Sequence, residues 1–195
     1  MKSLAALVLW LAPTILGSEP PDAWRLLVYS IRLLPIEGSF TADDIRRGAL
    51  RDETMKADAY DRALRHRMDL VQACVDATEV RAERYICVKV ARYESAFRED
   101  VGRCQINGKA GDKGAWQIVP RNASEEERLC KDLVTDARFH VERVRESRSA
   151  CRHLPKWDQL AMYARGSCDS DEGRSLSRHR FPTDAEIKRL ETERW

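Results

Sequence analysis

The chain has 195 residues, about one domain with room for a modest accessory segment. Apolar residues make up 43% and charged residues 34%, a globular mixture, and 34 bases against 32 acids leave a formal charge of only +2. That balance argues against nucleic-acid binding driven by bulk charge.

The opening stretch, MKSLAALVLWLAPTILGSEPPD, has the layout of a secretory signal over 1–18. Lys2 supplies the positive start, Leu4 to Leu11 form a short apolar run, and Gly17 and Ser18 suit a cleavage site. The run is shorter than the roughly 20 apolar residues a membrane span needs. Export is therefore expected, with no stable membrane span after cleavage; an uncleaved anchor is the alternative. Export decides how the six cysteines are read, because an oxidising compartment favours disulfides. No CxxC pair occurs and the histidines are scattered, so no metal is expected. Cysteine spacing does not select a connectivity; Cys151 and Cys168, bracketing a short helix, are the first choice for one bridge.

Taken in order, WRLLVYSIRLLPIEG reads as an amphipathic helix ended by Pro35 and Gly38. Thr41 is positioned to cap a short helix through Ala49. A longer pattern from Thr54 to Ala77 places Ala57, Leu64, Met68, Val71 and Val75 near one face. The next helix is expected from Val80 to Phe97, followed by the glycine-rich VGRCQINGKAGDKGAWQIVP, which has no helical period. Ser124 with Glu127 forms a capping-box pattern that predicts one long helix carrying Leu129, Leu133, Val134, Val141 and Val144. PKWDQLAMYARGSC predicts another helix stopped by Gly166. Thr183 with Glu186 caps a last helix running to Trp195. The fold class is mainly α.

Glu94 breaks the pattern of its own helix. Its helical neighbours are Ala91, Val90, Cys87, Ile86 and Phe97, so its position is a core position, yet the residue is an acid. Loss of solvation disfavours the charged carboxylate, and the negative end of the helix pushes the same way. A carboxyl that keeps its proton near neutral pH is what a general acid requires. The bland alternative is a rim glutamate that reaches water or pairs with Arg92 or Arg98.

Three short stretches sharpen this reading: Glu94-Ser95, then GAWQI from Gly114 to Ile118, then MYARG from Met162 to Gly166. In order and approximate spacing they resemble the catalytic domain of soluble lytic transglycosylases, relatives of goose-type lysozyme in the lysozyme-like superfamily. The resemblance covers about Cys74 to Pro182. It implies a lysozyme-like helical domain at 74–182 with a glycine-rich loop region, preceded by an N-terminal helical segment at 19–73 and followed by a C-terminal helix at 183–195. It also implies that Glu94 is the catalytic acid and base, with Ser95 as its positioning neighbour. Gln117 would line the sugar groove beside Gly114, and Tyr163 would reach the Glu94 carboxyl and orient it. Trp116 offers either packing or an aromatic platform for a sugar ring. Ser95 could instead bond a backbone carbonyl, and Tyr163 could be a core residue. Three positions depart from the family pattern: Ala164 replaces an asparagine, Ala115-Trp116 replaces a Leu-Met pair, and Asp112 adds a carboxylate.

The activity so implied is cleavage of the β-1,4 bond between N-acetylmuramic acid and N-acetylglucosamine, with formation of a 1,6-anhydro sugar and no cofactor. The implied partners are peptidoglycan glycan strands in the periplasm or cell envelope, or outside the cell, with a secretion or pilus machine as a further candidate. A hydrolytic muramidase, with Asp112 or Asp100 holding a water, and a non-catalytic glycan-binding or assembly protein are the alternatives.

Overall fold

A computed structural model describes residues 22–108 and 111–192. The signal expected at 1–18 and the chain end at Trp195 lie outside the described residues. Among them the structure is mainly helical, and β pairing is limited to an isolated bridge between Lys113 and Ile118. No described helix is long and apolar enough to cross a membrane.

Helix α1 (Asp22–Leu33) sends Leu26, Leu27 and Tyr29 into the main core, which also holds Phe97, Trp116 and Phe181. The N-terminal segment therefore shares its core with the region that follows. A buried guanidinium strengthens that union. Arg67, on α3 (Glu53–Ala77), donates to the carbonyls of Ser30 and Leu34 and to the Ser39 hydroxyl, and lies 4.4 Å over the Phe97 ring. The carbonyls at the end of α1 thus find a donor where the helix can no longer supply one. Between α1 and α3, Thr41 and Asp44 form a reciprocal capping box on α2, which spans Ala42–Arg46 and stops short of the expected Ala49.

Helix α4 (Arg81–Ser95) is the central strut, with Ile86, Cys87, Val88, Val90 and Ala91 all buried. It ends where Ala96 and Phe97 take left-handed conformations, φ 53° and 57°, two residues before the expected stop. Left-handed backbone costs a non-glycine residue on the order of 1–2 kcal/mol; insertion of the whole Phe97 ring into the core offsets it. A single turn, α5 (Glu99–Gly102), leads into the glycine-rich loop.

The long helix expected from Ser124 is two helices. Asn122, and not Ser124, caps α6 (Ala123–Arg128), and Asp132 caps α7 (Leu133–Ala150). The break falls at Cys130, held at φ 70° and bonded to Cys104, a geometry a continuous helix does not permit. The segment before Gly166 is likewise divided, into a 3₁₀ turn (Lys156–Asp158) and α8 (Ala161–Arg165). A helix that hydrophobic periodicity does not reveal, α9 (Asp171–Arg180), follows. The described part of the chain finishes with α10 (Asp184–Thr192), where Thr183 and Glu186 exchange the reciprocal bonds expected of them.

All six cysteines are paired: Cys74–Cys87, Cys104–Cys130 and Cys151–Cys168, the last being the bridge expected first. Three disulfides are compatible with an exported chain, and each typically contributes about 2–4 kcal/mol.

Candidate active site

The last turn of α4 presents Glu94 to an open groove of about 720 Å³, within the size range of small-molecule sites. The glycine-rich loop contributes Asp112 and Gln117, α7 contributes Arg143 and Glu146, α8 contributes Tyr163 and Arg165, and α9 ends at the groove with Arg180. Gln117 is itself left-handed, at φ 46°, and its side-chain amide donates to the Gly114 carbonyl. Gly114, at φ 73°, is required as glycine: a Cβ there would meet Asp136 Oδ2 at 2.7 Å.

The Glu94 side chain is 18% exposed, and its Oε1 pairs with Arg180 Nη2 at 2.5 Å. Neither of the partners considered from the sequence takes that place, since Arg92 donates to the Leu33 carbonyl and Arg98 pairs with Asp100. Burial pushes the Glu94 carboxyl above its usual range; Arg180 pulls it down, Asp112 adds to the rise, and Arg165 opposes it weakly. Burial prevails. An acid so placed carries its proton to higher pH than a solvated glutamate does.

Tyr163 lines the same groove, but its hydroxyl does not hold Glu94. It donates to the Trp116 carbonyl at 3.0 Å and contacts His140 Nδ1 at 3.1 Å. With its one proton given to Trp116, the hydroxyl accepts from His140, which places the imidazole proton on Nδ1. His140 is wholly buried, and burial drives its pKa down to about 3, so it is neutral. The group in direct contact with the Glu94 carboxyl is Arg180.

Trp116 is a core residue and offers no sugar platform. It has no exposed surface, its indole N–H donates to the Cys87 carbonyl, and its ring stacks on His140. Ser95 is buried and donates to the Ala91 carbonyl one turn back, so it too serves the backbone. Gly114 lies in the supporting turn, away from the groove lining. Of the residues expected at the site, Glu94, Gln117 and Tyr163 share the groove, and Asp112 joins them.

Arg180 is the residue that sequence reasoning missed. The buried positions of α9 are Gly173, Ser177 and Arg180, a helical spacing written in small and polar residues. Apolar periodicity is silent there, and the detectable signal is Ser170, whose hydroxyl accepts from the Gly173 amide as an N-cap.

Candidate metal ligands also come together at Cys104, Cys130 and Asp136, away from the groove lining. The two sulfurs are bonded to each other, which leaves the Asp136 carboxylate as the single available ligand. Comparison with protein-family models, curated protein sequences and solved structures gave no match.

Proposed function

We propose that the chain cleaves peptidoglycan glycan strands as an exported lytic transglycosylase, with Glu94 as the only acid and base. The observation that carries this reading is the convergence of Glu94, Gln117 and Tyr163, from three distant stretches, on one groove. In the first half of the reaction Glu94 gives its proton to the glycosidic oxygen as the bond from C1 of N-acetylmuramic acid breaks. The N-acetyl oxygen stabilises the positive charge left at C1. In the second half the Glu94 carboxylate takes the proton of the C6 hydroxyl, and O6 closes onto C1. The products are a 1,6-anhydro end and a free N-acetylglucosamine end; water is not consumed. A carboxyl with a pKa raised by burial suits both halves, since general catalysis works best near the operating pH.

One observation favours a second reading. Asp112 lines the groove close enough for its charge to act on Glu94, and two carboxylates facing one bond are the usual equipment of a hydrolase. Mass analysis of the muropeptides released from purified peptidoglycan separates the two. Anhydro ends support the lyase, reducing ends transfer the assignment to a muramidase, and intact sacculi after prolonged digestion remove both.

A further inference from the structure

Two neighbouring helix ends are joined at this groove by contacts in register. Tyr93 packs against His179 with ring centroids 6.4 Å apart, and Glu94 pairs with Arg180. Lys89, one turn and a half earlier on α4, donates to the Phe181 carbonyl at 3.1 Å and to both Glu186 oxygens at 3.0 Å. Arg180 is therefore held on both sides along the chain. Its side chain is 11% exposed, and the contact to Glu94 uses one nitrogen, Nη2, and one oxygen, Oε1. Its other two nitrogens, Nε and Nη1, are buried without a partner. A guanidinium retained under those conditions costs the fold more than an apolar side chain of the same volume, because buried donors without acceptors lose their hydration.

Such a cost is informative when the residue meets a group with two incompatible duties. On the reading above, Glu94 must be protonated to open the glycosidic bond and ionised to draw the proton from O6. Burial and the Asp112 charge favour the protonated form alone. We propose that Arg180 is a positioning residue for Glu94: it grips Oε1, turns Oε2 toward the glycosidic oxygen, and stabilises the carboxylate that must reappear after the first proton transfer. This rests on the assignment of Glu94 as acid and base. Arg180 touches the carboxylate and need not touch the sugar. Arg165, from α8, also acts on Glu94, but from an exposed position where it pairs with Glu172 at 2.8 Å, and its pull is the smaller of the two. Tyr163, which shares the groove and feels the charges of Glu94 and Arg180, and His179, on the Tyr93 side, are further titratable neighbours.

The test reads Glu94 directly and does not require turnover. The side-chain carboxyls of glutamate are labelled with ¹³C, and the Glu94 signal is assigned by its loss in Glu94→Gln. Titrations then compare the parent protein with Arg180→Met, Arg180→Gln and Arg180→Lys. Removing an opposite charge at this range should raise the Glu94 midpoint by about 1–3 pH units in the Met and Gln variants, with Lys near the parent. Two variants are used because either could fold poorly; the Met variant also sheds the two unpartnered donors, so folding is expected to survive. In cleavage assays the alkaline limb should move upward by the same amount, and Lys should restore most of the rate. A folded Met or Gln variant in which Glu94 titrates as in the parent overturns the proposal. A shifted titration in a protein that never cleaves peptidoglycan leaves the grip of Arg180 on Glu94 intact and removes the enzymatic reading instead.

Discussion

Two buried carboxyls in this molecule make an instructive pair. Glu94 lies at a helix end with a cation against it and a groove in front of it. Asp136 lies one turn into α7, 1% exposed, accepting from the Cys130 amide through Oδ1 while Oδ2 has no partner. Burial raises the pKa of both, and that of Asp136 reaches about 6, with the Cys130 amide opposing the rise and the Asp132 charge adding to it. A displaced pKa therefore does not distinguish a working acid from a structural one. What sets Glu94 apart is its access to the groove, together with the Arg180 cation against it.

The largest expected effect falls on the accessible acid. Glu94→Gln retains volume but has no carboxylic proton to give. Loss of general acid–base help typically lowers rate about 10²–10⁴-fold, and a group used twice belongs at the upper end. Muropeptide release should fall by about 10³-fold or more, while binding of the variant to sedimented peptidoglycan should remain. A variant cleaving at more than a tenth of the parental rate would dissolve the contrast between the two acids.

Asp136→Asn should act on stability, with a sign set by linkage. The folded value of about 6 lies above the reference of about 3.9, so the fold favours the protonated form. That contribution is complete below about 3.9 and is lost as pH rises through about 6, amounting to about 3 kcal/mol above it at 1.36 kcal/mol per pH unit. Urea unfolding should therefore find the Asn variant more stable than the parent at pH 8 and nearly equal to it at pH 4. Equal stabilities at both pH values would mean that Asp136 ionises in the fold without cost.

Tyr163→Phe probes the ground between the two acids. The change leaves the Trp116 carbonyl and His140 Nδ1 without their shared partner, and an orphaned buried polar group costs about 1–3 kcal/mol. Thermal unfolding should fall by that amount, with turnover reduced less than by loss of Arg180. A collapse in turnover with unchanged stability would return the orienting role to Tyr163. The smallest effect is expected from Asp132→Asn, which keeps the cap on Thr135 and removes one charge acting on Asp136. Stability at neutral pH should change by less than about 0.5 kcal/mol, as for an exchange of good N-caps. The Asp136 transition, followed by the pH dependence of unfolding, should move slightly downward.

The legible parts of the fold are those written in apolar residues. Leu26 with Tyr29, Leu70 with Cys74 and Ile86 with Val90 stand three or four residues apart and are all buried, so α1, α3 and α4 follow from periodicity. The break at Cys130 was hidden because a disulfide and a left-handed backbone override a helical pattern that continues past them. Glu94 stood out as an acid on an apolar face. Trp116 was open between packing and a sugar platform, and the structure decides for packing: the loop folds back over the core and the indole N–H donates to the Cys87 carbonyl. Arg180 was illegible because its helix is buried through glycine, serine and arginine, and because its partner lies on a distant element.

The two attachments of Lys89 bear on how the groove moves. A single ion pair between α4 and α9 would act as a pivot about which the end of α9 could swing. Glu94 and Lys89 instead form a two-point mount, one point on Arg180 and the other spanning Phe181 and Glu186. Both points lie on neighbouring residues at the C-terminal end of α9, so that end is held by two contacts and not by one. Freeing the end of α9 from α4 then means releasing both charge contacts together.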